Sequence, residues 1–161
     1  MSNNTNTQLK APPKGFSRLL WRAPIWFYKV GLGWLFGKRF LLLNHIGRKS
    51  GKARQAVLEV VRYDKETNTY YVASGFGEKS DWYQNVMHTP DVTIQVGGKR
   101  YTTRAMRLPL EEAEEEMLSY GRHHPTAIKN LAGLLGYPVD GTEASLRKLG
   151  GLLPIIAFKV D

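Results

Sequence analysis

The chain of 161 residues has no cysteine. That excludes disulfides and thiolate metal ligation, and it makes the redox compartment unreadable from thiols. Histidine is scarce too: His45, His88 and the adjacent His123 and His124 are the whole supply. Their spacing does not build a zinc site, so no metal is expected. Long apolar runs are missing. The aromatic stretch 16–36 is interrupted by Arg22 and Lys29 and broken by Pro24, Gly31 and Gly33. It is too short and too charged to span a bilayer, and it has no clear signal-peptide core or cleavage site. No serine sits in a nucleophile elbow. The glutamates of Glu111–Glu116 read as the solvated face of a helix that turns Leu110, Ala113, Met117 and Leu118 to the core. Nothing announces acid–base or covalent catalysis.

Acidic residues are also absent from the N-terminal third. The first is Glu59, and eleven Lys and Arg precede it. The remainder carries twelve basic and fourteen acidic side chains, so the net charge of +9 originates ahead of Glu59. Such asymmetry implies an anionic partner: a membrane surface, a nucleic acid or a phosphorylated ligand.

Four of those cations crowd one turn, Gly47-Arg48-Lys49-Ser50-Gly51-Lys52-Ala53-Arg54, between the apolar runs Phe40–Ile46 and Ala56–Val61. A reversal needs the glycines but not four mutually repelling charges. The spacing is wrong for a Walker A loop, and a strand follows rather than a helix. Read alone, the turn fits a solvated basic hairpin or an anion site made of backbone N–H groups, the Ser50 hydroxyl and paired cations.

The length suits one domain. Residues 1–14 are polar, with Pro12-Pro13, and read as a disordered tail; 15–161 form the expected single barrel domain, with 15–37 an aromatic and basic helical segment. That segment fits either an interfacial helix or packing on its own domain. Strands are expected over Arg39–Ile46, Arg54–Tyr63, Thr69–Ser74, Val92–Val96, Arg100–Arg107 and Pro154–Val160. The two-residue turn Gly97-Gly98 joins the fourth and fifth. Helices are expected over Asp81–His88, with Ser80 as N-cap, from Pro109 to about Tyr120, over Pro125–Leu135 and over Thr142–Leu149. The class is mainly β with α: a six-stranded antiparallel split barrel with one inserted helix and a helical excursion before the last strand.

Ser80-Asp81-Trp82-Tyr83-Gln84-Asn85 is the second candidate. Asn85 lies three residues after Trp82 and shares its helical face. The segment fits a helix plugging the barrel end with Trp82, or an aromatic wall with an amide for a flat polar ligand.

Together and in this order, the two motifs resemble the deazaflavin-dependent nitroreductase family of the FMN-binding split-barrel superfamily. The matching stretch runs from about Phe40 to Arg107, with Pro154–Val160 as the closing strand. It comprises Leu41-Leu42-Leu43, Gly47–Gly51, Val72-Ala73-Ser74, Gly75–Lys79, Trp82-Tyr83-Gln84-Asn85-Val86 and Pro90. The resemblance implies coenzyme F-420, with FMN as the alternative on the same fold. By carry-over, Arg48, Lys49 and Ser50 hold the phosphate. Arg54, Gln55, Ala56, Val57, Leu58 and Glu59 line the ring and ribityl chain. Ala73, Ser74, Gly75 and Phe76 border the ring, and Trp82, Tyr83 and Asn85 close the site near the phosphate and glutamyl tail.

The resemblance implies no catalytic dyad, because the coenzyme carries the hydride. Ser74 and Tyr83 are proton-donor candidates. The implied partner is a small electrophile (quinone, enone or nitro compound), in a cytoplasmic homodimer with a membrane-surface contact through the N-terminal segment and no nucleic acid. The rival non-enzyme reading is a basic lipid- or nucleic-acid-binding module. The chain departs from the family pattern at Ala56-Val57, where Asn and Pro are common. The loop before Trp82 is one residue shorter, Asp81 precedes Trp82, and His124-Pro125 replaces a Tyr-Pro pair.

Overall fold

The computed structural model describes residues 37–161. The expectations for the tail 1–14 and the segment 15–37 lie outside these residues, apart from Gly37 in the turn before the first strand. Six strands, β1 (Phe40–Ile46), β2 (Ala53–Asp64), β3 (Thr69–Ala73), β4 (Asp91–Val96), β5 (Lys99–Arg107) and β6 (Ile155–Lys159), close in the order β1-β2-β3-β6-β5-β4. Every neighbouring pair is antiparallel. Helix α1 (Asp81–His88) is inserted after β3, behind a 3-10 turn at Gly77–Lys79. Helices α2 (Leu110–His123), α3 (Pro125–Leu135) and α4 (Glu143–Leu152) separate β5 from β6.

Strand alternation divides the apolar residues between two cores. Leu41 and Leu43 of β1, Tyr70 and Val72 of β3, Val92 and Ile94 of β4, and Ile156 and Phe158 of β6 fill the barrel. On the outer face of β3 and β6, Tyr71, Ala73 and Ile155 pack against Met117 and Leu118 of α2 and Leu146 and Leu149 of α4. Leu110 was expected on that core side but is 59% exposed. It is the first residue of α2, and the apolar stripe begins one turn later, at Ala113. The glutamate face is not wholly solvated either. Glu116 reaches across to β2 and pairs with Arg62 at 2.6 Å.

Local chemistry explains the ends. Asp64 accepts from the backbone N–H of Glu66 and Thr67, and Asn68 takes the left-handed conformation that closes the β2–β3 turn. Pro125 opens α3 at its first turn, and Gly136 ends it in the left-handed region. Thr142 caps α4 through the Ser145 N–H.

Strand β2 changes partner midway. Residues from Ala53 to Glu59 pair with β1, while Val60 to Asp64 pair with β3. A bulge separates the Val60 and Arg62 pairings. Even-numbered residues therefore face inward before the bulge (Ala56, Leu58, Val60), whereas Tyr63 does so after it. Among the described residues, no strand pairs with Ala53–Glu59 on the edge away from β1.

Candidate functional site

The turn between β1 and β2 is closed by two backbone bonds, Gly47 N–H to the Lys52 carbonyl at 2.9 Å and Gly51 N–H to the Gly47 carbonyl at 2.8 Å. Gly51 has φ +66°, where a side chain would be strained. The Ser50 hydroxyl accepts from the Lys52 N–H at 3.3 Å. Lys49, Ser50, Lys52 and Arg54 are all exposed.

The four cations are not equivalent. Arg48 is tied down from α1. Its backbone N–H and its Nη1 both donate to Asn85 Oδ1, at 3.0 and 2.9 Å. Its guanidinium also meets Asp81 Oδ1 at 3.2 Å. Among the described residues, Lys49, Lys52 and Arg54 form no ion pair. Three free cations and one anchored one thus share this turn with the Ser50 hydroxyl, a concentration of positive charge that favours an anion. The last of the three, Arg54, lies on β2 and leads directly onto the strand edge that lacks a partner.

Asn85 is buried and fully engaged. Its oxygen serves Arg48, and its Nδ2 lies 3.2 Å from His45 Nδ1. His45 is itself buried at the inward-facing end of β1. Burial, with the nearby Arg54 charge adding to it and Asp81 opposing, pushes its pKa down to about 4. Trp82 is half-buried and shares the plugging of the barrel end with its neighbours. Tyr83 and Val86 of the same helix are buried in the barrel core, and Trp82 packs against it from the rim.

The loop from β3 to α1 is held at both ends. Ser74 is fully buried; its hydroxyl donates to the Gly77 carbonyl at 2.7 Å and lies 2.8 Å from Ser80 Oγ. Ser80 stands at the N-cap position, but its side chain makes no capping bond, since the pairing with Ser74 takes its hydroxyl. Tyr83 Oη accepts from Arg107 Nη1 at 2.6 Å, and Arg107 pairs with Glu78 at 2.7 Å. Ala73 and Phe76 pack on the helical core.

A family model of F420H(2)-dependent quinone reductases matches residues 25–130, which include the basic turn, the open half of β2 and all of α1. The chain belongs to this family. A Mycobacterium tuberculosis relative, provisionally named F420H(2)-dependent quinone reductase Rv3178, is 36% identical over 80 residues, covering 48% of this chain. The match spans 66% of that relative's own length. Two solved structures share the fold. An F420-H2 dependent reductase, FDR-A, has a TM-score of 0.53 at 23% identity, covering 76% of this chain and 96% of its own. A domain-swapped dimer has a TM-score of 0.54 at 19% identity, covering 90% and 100%.

Within this quinone reductase family member, the two sequence motifs meet in space through Arg48, Asp81 and Asn85. Arg54 to Glu59 lie along the open edge, with Gln55 bonded to Asn44 at 2.8 Å and Glu59 paired with Arg39 at 3.7 Å. Sequence reasoning missed Glu78 and Arg107, whose partners are set only by the tertiary fold. It weighed His45 solely as a metal ligand. The available signal was alternation, which puts His45 on the same face as Leu41 and Leu43.

Proposed function

We propose that the protein binds reduced coenzyme F-420 and passes hydride to an electrophilic small molecule of the quinone class. The observation that carries this reading is the trio of unpaired cations, Lys49, Lys52 and Arg54, beside an anchored Arg48 at the head of an unpaired strand edge. A phosphodiester suits the turn, and a flat ring with hydrogen-bonding edges suits the backbone of Arg54–Glu59. When bound, the coenzyme supplies a two-electron hydride. Reduction of a quinone to a hydroquinone needs that hydride and one proton. Ser74 is enclosed and its proton is committed to the Gly77 carbonyl, while Tyr83 Oη is held by Arg107. Both facts favour solvent as the proton source. The chain's own tasks are then to grip the phosphate and present the ring at a fixed angle.

Titration of the protein with F-420, followed by quenching of coenzyme fluorescence, tests this directly. Saturable binding is expected. Each of Lys49→Ala and Lys52→Ala should weaken it about tenfold, with unchanged circular dichroism. Tight FMN binding with none of F-420 would overturn the choice of coenzyme. Turnover of a water-soluble naphthoquinone by the reduced complex tests the acceptor, with enones and nitro compounds as competitors.

The same reading includes a contact with an anionic membrane surface, where apolar quinones dissolve. The charge ahead of Glu59 supports it. Co-sedimentation with phosphatidylglycerol vesicles, lost on deleting residues 1–36, is the expected result. A homodimer is the third element, supported by the dimeric structural neighbour and checked by sedimentation velocity.

A further inference from the structure

We infer that His45 is a positioning residue for the basic turn: its neutral ring holds the Asn85 amide in the one orientation that lets Asn85 Oδ1 grip Arg48. As a contribution to coenzyme binding, this rests on the reading of the turn as the phosphate site.

Two donors of Arg48, the backbone N–H and Nη1, converge on Asn85 Oδ1. Reversing the amide would aim its NH2 at both. The NH2 must therefore point the other way, and there it meets His45 Nδ1 at 3.2 Å. Only an unprotonated Nδ1 can receive it, which assigns the ring proton to Nε2. A proton on Nδ1 would set donor against donor in a site where both side chains are 5% exposed. The charged groups facing this site are Arg54 from β2, Asp81 from α1 and Arg48 from the turn.

The second hold on Arg48, from Asp81, is of a different kind. Asp81 is 64% exposed, and surface pairs of that sort contribute little. The buried bonds to Asn85 therefore dominate. Their geometry depends on an acceptor at His45 Nδ1, because a buried amide left without a partner is costly.

His45→Leu removes that acceptor, and His45→Asn puts an oxygen near the position of Nδ1. Affinity for F-420 should fall about tenfold in the leucine variant and stay within about threefold of wild type in the asparagine variant. On an Asn85→Ala background, His45→Leu should add less than about a twofold loss, since both act through one contact. Multiplying losses, or failure of His45→Asn to rescue, would overturn the inference. In the free protein, nitrogen NMR of the wild type should show His45 Nδ1 unprotonated at pH 7; a protonated Nδ1 refutes the proposal even where His45→Leu does not fold. If the wild type shows no affinity for F-420, the coenzyme reading fails. The positioning role is then judged by hydrogen exchange at the Arg48 amide, which should be protected in wild type and His45→Asn and exposed in His45→Leu.

Discussion

Ser74 shows how one hydroxyl is assigned between chemistry and architecture. It lies inside the chain, bonded to Gly77 and Ser80, at the point where β3 gives way to the loop before α1. Ser74→Ala should cost about 1–3 kcal/mol in urea unfolding, because Ser80 Oγ and the Gly77 carbonyl lose a buried partner. Turnover per bound coenzyme should stay within about twofold. A large drop in turnover at unchanged stability would instead make Ser74 a proton donor. The four cations of the turn were visible in the sequence, and so was the need for Gly51. Their inequality was not. Arg48 differs from Lys49 only through Asp81 and Asn85, which a fold contact brings to it.

At the level of elements, most boundaries were legible because each had a local cause. Pro125 opens α3, Gly97 turns β4 into β5, and the Asp64–Asn68 loop closes β2 on β3. The 3-10 turn was not legible, since Gly77–Lys79 carries no local signal and is held by Ser74 and Arg107 from elsewhere. Helix packing offers a paired test. A Cβ at Gly150 would come within 2.7 Å of the Glu114 Cα and 2.8 Å of the Ala113 carbonyl, where α4 crosses α2. Gly150→Ala should therefore destabilise by about 1–3 kcal/mol despite alanine's better helix propensity. A Cβ at Gly133 in α3 meets nothing within 4 Å. Gly133→Ala should stabilise by about 0.5–1 kcal/mol. Thermal midpoints of the two variants, moving in opposite directions, check both statements.

For the whole molecule, stability should depend on pH in two separable windows. His45 is neutral in the fold, with its pKa at about 4 against an ordinary 6.5. As pH falls below 6.5 the unfolded chain takes up this proton and the fold does not, so stability declines from there to about pH 4. The loss is at most about 3 kcal/mol. His45→Asn should flatten this slope in urea midpoints at pH 7 and 4.5. Asp140, held down to about 2 by the Thr142 hydroxyl and N–H, and Asp64, lowered by the Thr67 and Glu66 N–H groups, act in the opposite sense of charge. Their contributions survive to pH 3.8 and vanish below it, in the variant as in the wild type. Among the described residues no helix is long and apolar enough to cross a membrane.

The bulge in β2 has an implication for how such a chain can vary. Within Val60–Asp64, Val61 is the one residue without a counterpart on β3, an extra residue that bends the strand where it passes from one neighbour to the other. Upstream of it the strand answers to β1; downstream it answers to β3 and the barrel wall. Deleting Val61 would leave Val60 inward, Arg62 outward and Tyr63 inward, so both halves keep their faces and the ladder with β3 becomes regular. What the deletion removes is the local bend with which one strand leaves β1 for β3. Substitutions along Arg54–Glu59 can retune what the open edge meets, whereas loss of Val61 changes the course of the strand and not which residues it buries.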